Sequence, residues 1–577
     1  MVDYQDSKLW KKTLAPQVLS DNYTADREYL RNSFFSFRKN CEQLAQEVAK
    51  SLPEFTIHDI THIDALWEMA SIVVPDDFNI NPAEAYVLGG AFLLHDLGMA
   101  LAAYPKGLNE LKVEEIWKDA YASLKKSHKK NEDNSVLEQK ATEKTLRALH
   151  ALHAKEMAKI SWHDSDGHEQ FLIENSDLRS AYATTIGVIA YSHWLPADEL
   201  ENKLPRCCGA ISRFPTDWTI DPLKLACILR IADAIHIDDR RAPALQKTFR
   251  NLSGTSEFHW TFQNKLFKPQ IDATRIVFTS KSAFGINEID AWWTCYDTLK
   301  MIDTELKKVD DILVRKHKTH LNTLGVASID SLSELSKYIT VEGWVPVDTT
   351  IKVSNIPQLV NNIGGTQLYG DNAIVPLREL IQNSSDAIRA RRLIENKATT
   401  FGDIQITIGN DDDGQFIQVE DNGIGMSKRV ITGPFLDFGQ SFWGSDLMHE
   451  ELPGLESKGY KSTGRYGIGF FSLFMWGQRI VVCSNRYNAA QEDTLVLAFK
   501  KGISSRPILR KADKDEQIRN GGTKVKIWID NSIIDKLIHP HRVWNAPQMS
   551  TLTDVITRLC PSVDCNIFYL KTVNVNV

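Results

Sequence analysis

The sequence has no CxxC pair and no regular cysteine framework. Its eight cysteines are scattered over 577 residues, which argues against zinc ribbons and disulfide scaffolds and suits a reducing compartment. An excess of positive charge is also missing: the formal net charge is −7, so no global field exists to coat DNA or an anionic membrane. The amino terminus, MVDYQDSKLWKKTLAP, lacks the continuous apolar core of a signal peptide, and a cytoplasmic location is expected. There is no internal repeat and no low-complexity tail. The apolar run from Tyr86 to Tyr104 approaches the length of a bilayer span, but it carries His95-Asp96 at its centre. An aspartate there would cost about 3 kcal/mol on insertion scales. A buried helix and no membrane partner are therefore expected.

What is present is an ordinary globular composition, 43% hydrophobic and 24% charged, with length for several domains. The first 250 residues read as almost wholly helical. DREYLRNSFFSFRKNCEQLAQEVAKSL, THIDALWEMASIVV, ATEKTLRALHALHAKEMAKI, YATTIGVIAYSHWL and DPLKLACILRIADAIHID carry apolar residues at mixed three and four spacing. Residues 251–345 read as a connector: an aromatic and β-branched stretch (Phe258–Ser280) predicts a short hairpin, and Glu288–Lys318 predicts one long amphipathic helix. Residues 346–577 alternate helical and strand patterns. The helix is IVPLRELIQNSSDAIRARRLI, and the strands are DIQITIGN, QFIQVED, RIVVCSN and TKVKIWID. The fold class is multidomain, an all-α domain followed by an α/β domain.

Three His-Asp pairs occur, at His58-Asp59, His95-Asp96 and His163-Asp164. A lone pair of this kind is ordinarily a hydrogen-bonded core or surface pair. His95-Asp96 differs in its partners, each on its own predicted apolar helix: His62, His150 and His153 one turn apart, His193, and Asp233. Imidazoles and carboxylates buried together are costly unless they coordinate a cation. The order of a first histidine, His-Asp after LL, later histidines and an aspartate after IA resembles the HD superfamily of metal-dependent phosphohydrolases, over about Asp21 to Arg250. The resemblance implies that His62, His95, Asp96 and Asp233 are core metal ligands and that Asp96 bridges two ions. His153 and His193 match the extra histidines of two-metal members, with His150 in reserve. Two divalent ions, of manganese, iron, nickel or cobalt, or Mg²⁺, would activate water for attack on phosphorus. His58 would contact the substrate phosphate or protonate the leaving group, or else is a helix-capping or surface residue. His163, His168 and His236 read as ordinary histidines.

Four further segments stand in order: LRELIQNSSDAIRARR, VEDNGIGMS, STGRYGIGFFSLFMWG and GGTKVKIWI. Together they resemble the motifs of the GHKL (Bergerat-fold) ATPases, and among these the ninety-kilodalton heat-shock chaperones, from about Asn355 to the end. The resemblance implies an α/β sandwich that binds ATP with Mg²⁺. Asp421, Gly425, Met426 and Thr523 would surround adenine. Asn383 would hold Mg²⁺, Glu379 would be the general base toward water, and Asp386, Gly464, Gly467, Gly469 and Phe470 would line the phosphates. Residues between Ser427 and Thr463 occupy the place of an ATP lid. Trp443 stands about where the chaperones carry a nucleotide-contacting lysine, which Lys458 or Lys461 would replace. The sequence ends about where the chaperones' nucleotide domain ends, before the middle domain that contributes a catalytic arginine there, so slow turnover, an arginine from elsewhere or a truncated sequence is expected.

The combined expectation is a phosphodiesterase or nuclease acting on nucleic acid or nucleotides, gated by ATP and working as a homodimer or higher homo-oligomer, in the manner of bacterial defence effectors. Coupling would run through Glu288–Lys318 and the connector VEGWVPVD at the start of VEGWVPVDTTIKVSNIP. The alternative is an ATP-driven clamp or chaperone whose helical domain is a binding module.

Overall fold

The computed structural model describes residues 3–17, 21–127, 133–250, 252–347, 373–464, 467–503, 506–538, 552–560 and 562–571. The contacts divide the chain into two units: residues 1–117 with 133–349, and residues 118–132 with 350–577.

The first unit is built from long helices: α1 (Thr24–Ser51), α2 (Ile60–Val73), α3 (Pro82–Leu94), α4 (Asn134–Met157), α5 (Ser176–Ser192), α6 (Pro222–Ile235) and α7 (Ile289–Arg315). The first half of the apolar run, to Leu94, lies in α3, which is buried at every residue and packed against α1, α2, α5 and α6. The expected helix ends at His95, and the rest of the run forms short 3-10 turns at Leu97–Met99 and Leu101–Ala103. A helix that is apolar all round belongs at the centre of a bundle, because no face can be left to water. Its start is fixed by a reciprocal cap between Asn81 and Glu84 and by Pro82 in its first turn. Side-chain caps from Asp59, Asn175 and Asp221 set the starts of α2, α5 and α6. No described helix is long and apolar enough to cross a membrane.

The connector region differs from the expectation over part of its length. Gly254–Lys265 is a helix, and only Gln270–Asp272 and Arg275–Val277 form the expected hairpin, joined by Gly325–Val326 as a third strand. Trp260 and Phe262 bias the stretch toward strand, but burying Trp260 against Ile57 and Ala242 overrides that bias. α7 packs with α6 in the first unit. The segment VEGWVPVDTTIKVSNIP lies outside the described residues from position 348 onward.

The second unit is a seven-stranded sheet with α8 (Val375–Ile394) on one face. Numbered along the chain, the strands are β1 (Asp403–Asp411), β2 (Gly414–Asp421), β3 (Ile480–Asn485), β4 (Leu495–Phe499), β5 (Ile508–Lys511), β6 (Gly522–Trp528) and β7 (Asn566–Lys571). The order across the sheet is β5-β4-β3-β6-β2-β1-β7, antiparallel except for the last pair. Leu377 and Ile381 of α8 pack onto Ile404, Ile406, Ile417, Val525 and Ile527 of the sheet. The antiparallel register sets Thr523 opposite Asp421. Residues 118–132 fall between two helices of the first unit in sequence, yet they belong to this unit. The buried Asp119 carboxylate accepts the Gly454 and Ser457 amides, each at 2.6 Å.

Candidate functional site

In the first unit, ligand-type atoms of His62, His95, Asp96 and Asp233 lie within 4.8 Å of one another, and so do those of Asp96, His150 and His193. Asp96 belongs to both groups and divides its two oxygens between them. Its Oδ2 is 3.1 Å from His95 Nε2 and 3.8 Å from His62 Nε2. Its Oδ1 is 3.7 Å from His150 Nε2 and 3.8 Å from His193 Nε2. Asp233 Oδ1 closes the first group at 3.5 Å from His62 Nε2 and 3.7 Å from His95 Nε2.

The tautomers follow from the backbone. His95 Nδ1 faces the Phe92 carbonyl at 2.9 Å, His150 Nδ1 the Arg147 carbonyl at 2.7 Å, and His193 Nδ1 the Ala190 carbonyl at 2.6 Å. A carbonyl only accepts, so each Nδ1 carries the proton and each Nε2 presents a lone pair. His62 Nδ1 is 2.8 Å from His236 Nδ1. His62 offers the same Nε2 lone pair when it donates to His236, a residue that sequence reasoning left aside. The lone pairs then face one another, His62 against His95 at 3.4 Å and His150 against His193 at 3.1 Å. Facing lone pairs repel unless a cation lies between them. His95 and His193 cap the C-termini of α3 and α5, and Asp233 lies in the last turn of α6, where the helix dipoles favour positive charge.

The electrostatics agree with a cation site. Burial alone would lower the His95 imidazole, but Asp96 and Asp233 outweigh it and raise it to about 10. Burial pushes the Asp96 carboxyl up, and His95 beside it reverses the shift and holds it well below the usual range. The same carboxylates that raise His95 therefore draw positive charge to its Nε2, a charge that a bound cation would supply in place of a proton. His193, lowered to about 4 by burial and then by His95, stays neutral, as a ligand must. The residues present fit two divalent cations: His62, His95, Asp96 and Asp233 for one, and Asp96, His150 and His193 for the other.

His153 is not part of this arrangement. Its ring stacks on Tyr104 with centroids 3.9 Å apart, and its Nε2 faces the Ala103 carbonyl at 3.0 Å. His150 holds the position expected of it. Both residues lie on one side of α4, and only the rotation of α4 against the His95–Met99 segment separates them. Gly98 sets that rotation: a Cβ there would run into the His150 backbone. Accordingly, His150→Ala should lower bound metal from two ions to one per chain, whereas His153→Ala should keep both, as read by elemental analysis after dialysis.

Three residues near the cluster carried no signal in the sequence. Arg230 donates from Nη1 to the carbonyls of Ser192, His193 and Leu195 at 2.6, 3.1 and 2.7 Å, fixing the turn that carries His193. Trp194 is 57% exposed, its ring 4.9 Å from that of His150. Arg241 is buried beside His58. His58 itself is 3.8 Å from Asp96. Burial and then Arg241 lower it to about 4, so the ring is neutral at neutral pH, with its one proton on Nδ1 toward the Thr56 carbonyl and none on Nε2 for a leaving group.

In the second unit, Glu379, Asn383 and Asp386 follow one another at helical spacing along α8. Glu379 Oε1 accepts from Arg378 at 3.0 Å. Asp386 is fully buried, and its carboxylate accepts the Thr463 and Gly464 amides at 2.9 Å. It therefore holds the start of the glycine-rich segment against α8. The Gly464 backbone lies beside Asn383 and Asp386, and Gly469 backs onto Glu379. Gly467 has φ +63°. Asp421 accepts the Gly423 amide at 2.8 Å and Ser384 Oγ at 3.1 Å. Thr523 Oγ1 and the Met426 amide both meet Ser484 Oγ, at 2.9 Å each. Gly425 has φ +64°, and a Cβ there would run into the Asn485 carbonyl, so the turn beside Asp421 requires glycine. Phe470 packs on Phe435 with centroids 4.3 Å apart. In the lid segment Trp443 packs on Tyr460, and Lys458 donates to the Leu393 carbonyl at 3.1 Å.

Burial pushes the Asp421 carboxyl up to about 7, with the Gly423 and Ser384 hydrogen bonds opposing it only in part. An adenine amino group needs the ionised form as acceptor. Adenosine affinity should therefore fall roughly tenfold from pH 8 to pH 6, and Asp421→Asn should flatten the profile, read by calorimetry. The same shift makes the ligand-free protein less stable as pH rises toward and through 7, because the folded carboxyl keeps a proton that the unfolded one has released.

Comparison with known proteins agrees with this division. A family model described as HD-CE matches residues 52–308, and one described as histidine kinase-, DNA gyrase B-, and HSP90-like ATPase matches residues 373–518. The chain is 30% identical over 129 residues to mitochondrial heat shock protein 75 kDa of Bos taurus, covering 22% of this chain and 18% of that protein. It is 33% identical over 129 residues to chaperone protein HtpG of Alkalilimnicola ehrlichii, covering 22% and 19%. To chaperone protein HtpG of Francisella tularensis subsp. novicida it is 37% identical over 119 residues, covering 20% and 18%. The chain thus spans about a fifth of the length of these relatives. It carries an HD-type helical domain followed by a GHKL-type ATPase domain.

Proposed function

We propose that this chain, an HD-type domain joined to a GHKL-type ATPase domain, is a two-metal phosphohydrolase that cleaves a phosphodiester in nucleic acid or a nucleotide under the control of ATP. The observation that carries the reading is Asp96, whose two oxygens are divided between two ligand groups. In each group histidine Nε2 atoms converge while their Nδ1 atoms face acceptors. Two divalent ions, when bound, would supply Lewis acidity toward a phosphoryl group and lower the pKa of water. Nitrogen and carboxylate donors suit manganese, iron, nickel or cobalt. The protein's own part is to hold four histidines in fixed tautomers beside two carboxylates, to keep Asp96 ionised and to exclude bulk water from one side of the cluster. Exposed Trp194 beside His150 offers a flat face on which a nucleobase would stack, which favours a base-bearing substrate over a simple phosphate ester.

Asp421 and Thr523 would select adenine. Asn383 would hold Mg²⁺, Glu379 would act as base toward water, and the backbone from Gly464 to Gly469 would meet the phosphates. ATP would bias the hydrolytic domain between active and silent states, with the protein working as a homo-oligomer in a reducing cytoplasm that suits its eight free cysteines. A defence role fits an effector kept silent until triggered. The similarity to heat-shock chaperones over the ATP-binding segment favours, as a second reading, an ATP-driven clamp whose helical domain binds a client. Metal analysis followed by a hydrolysis screen over DNA, RNA, cyclic dinucleotides and dNTPs, with and without ATP, separates the two. Metal uptake with cleavage of one class is expected, and a metal-free, inactive protein would leave the clamp.

A further inference from the structure

Against the cluster of His62, His95, Asp96 and Asp233 lies a cation for which ligation has no use. Arg241 follows α6 by six residues, and its side chain is only 9% exposed. Its Nη1 is 3.4 Å from the His236 carbonyl and 3.8 Å from Asp233 Oδ1. Its Nη2 donates to His58 Nε2, and its buried Nε has no hydrogen-bond partner among the described residues. His58 is itself oriented. Its Nδ1 donates to the Thr56 carbonyl at 2.6 Å, so Nε2 is the lone pair that takes the guanidinium proton. The backbones are tied together as well, since the Ile57 amide donates to the Arg241 carbonyl at 2.8 Å. Two chain segments remote in sequence are thereby built into one wall, with a guanidinium facing the metal ligands.

A purely structural arginine would be expected to satisfy its donors on fixed acceptors, because an unmet buried donor is costly. Arg241 leaves Nε unmet, and it directs its charge at Asp233, a carboxylate also claimed by the cluster. The charge balance sharpens the point. Two divalent ions with Arg241 bring five positive charges against the two carboxylates of Asp96 and Asp233. A buried excess of that size demands an anion. A guanidinium fork matches the oxygens of a phosphoryl group, where an ammonium would be only a point charge.

We propose that Arg241 is the phosphate ligand of this site, holding a non-bridging oxygen of the substrate's phosphoryl group, and that His58 is the positioning residue that keeps the fork aimed at the cluster. This rests on the phosphohydrolase reading above and names its anion-binding half. It also replaces the proton-donor role that the sequence suggested for His58.

The test uses the full chain loaded with manganese, in wild type, Arg241→Met, Arg241→Lys, His58→Leu and His58→Gln. Metal content is measured first, and inorganic phosphate is then titrated calorimetrically. Metal content should be unchanged, and phosphate affinity should fall at least about tenfold in Arg241→Met, with Arg241→Lys in between. His58→Leu should resemble Arg241→Met, whereas His58→Gln, whose amide oxygen still accepts from Arg241, should stay near wild type. Phosphate affinity equal to wild type in metal-replete Arg241→Met would make Arg241 a structural partner of Asp233 and overturn the proposal. Should Arg241→Met fail to fold or load, Arg241→Lys decides in the same way: weaker phosphate binding supports the fork, and unchanged binding overturns it. A wild-type protein that takes up no metal refutes the phosphohydrolase reading itself, a result distinct from either.

Discussion

Asp96→Ala should empty both halves of the metal cluster and lower phosphohydrolysis at least ~1000-fold, about 4 kcal/mol in the barrier. Each of the other ligands serves one group only: His62, His95 and Asp233 the first, His150 and His193 the second. Asp96 alone serves both, and its removal leaves four buried imidazoles facing one another with a single carboxylate, Asp233, at one side. Added Mn²⁺ should raise the melting temperature of the wild type, since a ligand that binds only the folded state at 100 times its Kd stabilises it by about 2.7 kcal/mol. That increment should vanish in Asp96→Ala, while ATP binding persists because Asp421 and Asn383 belong to the other unit. Unchanged metal content and turnover in Asp96→Ala would show that the convergence of these side chains is only a buried polar network.

Glu379→Ala should leave ATP affinity within about twofold of wild type and reduce ATP turnover by roughly 10²–10⁴. The carboxylate acts on water rather than on the nucleotide, and Arg378 is its only described hydrogen-bond partner. Asp421→Asn should do the reverse and weaken binding, because its amide can present a donor where adenine requires an acceptor. The pair also tests coupling. A nucleotide shifts the hydrolytic domain only if it binds the active and silent states unequally. Glu379→Ala with ATP, held in the nucleotide-bound state, should therefore fix phosphohydrolysis high or low. A difference of 1.4 kcal/mol appears as about a tenfold change in the population ratio, within easy reach of a rate assay. If phosphohydrolysis ignores ATP, ADP and Glu379→Ala in a chain shown to bind nucleotide, ATP gating is wrong and the two activities are independent.

The sequence by itself determined the division into helical and α/β parts, since amphipathic spacing of three and four and alternation of two are local properties of the chain. The buried α3 was legible because a 13-residue helix with no polar face can only be central. The candidate cluster was legible not from His95-Asp96 alone, which stands at the C-terminal end of that helix, but from its partners on other apolar helices, because imidazoles and carboxylates buried together are costly without a cation. The candidate residues on α8 and the glycines after Asp421 and Thr463 were legible through the resemblance of four ordered segments to the GHKL motifs, since each segment alone reads as an amphipathic helix or an ordinary turn.

Everything that depended on rotation or on distant chain segments was decided by the tertiary structure. His150 and His153 are equivalent to any periodicity argument, and they were separated only by the close approach of α4 to Gly98. His236 read as an ordinary histidine until the packing of α6 against α2 brought it to His62. Arg241 sits among basic residues that look like a solvated face, until the Thr56–His58 segment folds over it and removes it from water. Lys118–Glu132 lies between helices of the first unit in sequence but joins the ATP-binding unit, because Asp119 finds its amide donors on Gly454 and Ser457. A sequence pattern records what each segment prefers alone. Which buried donor meets which acceptor is settled only when segments more than a hundred residues apart are packed against one another, and that pairing decides which of the candidate side chains face the cluster.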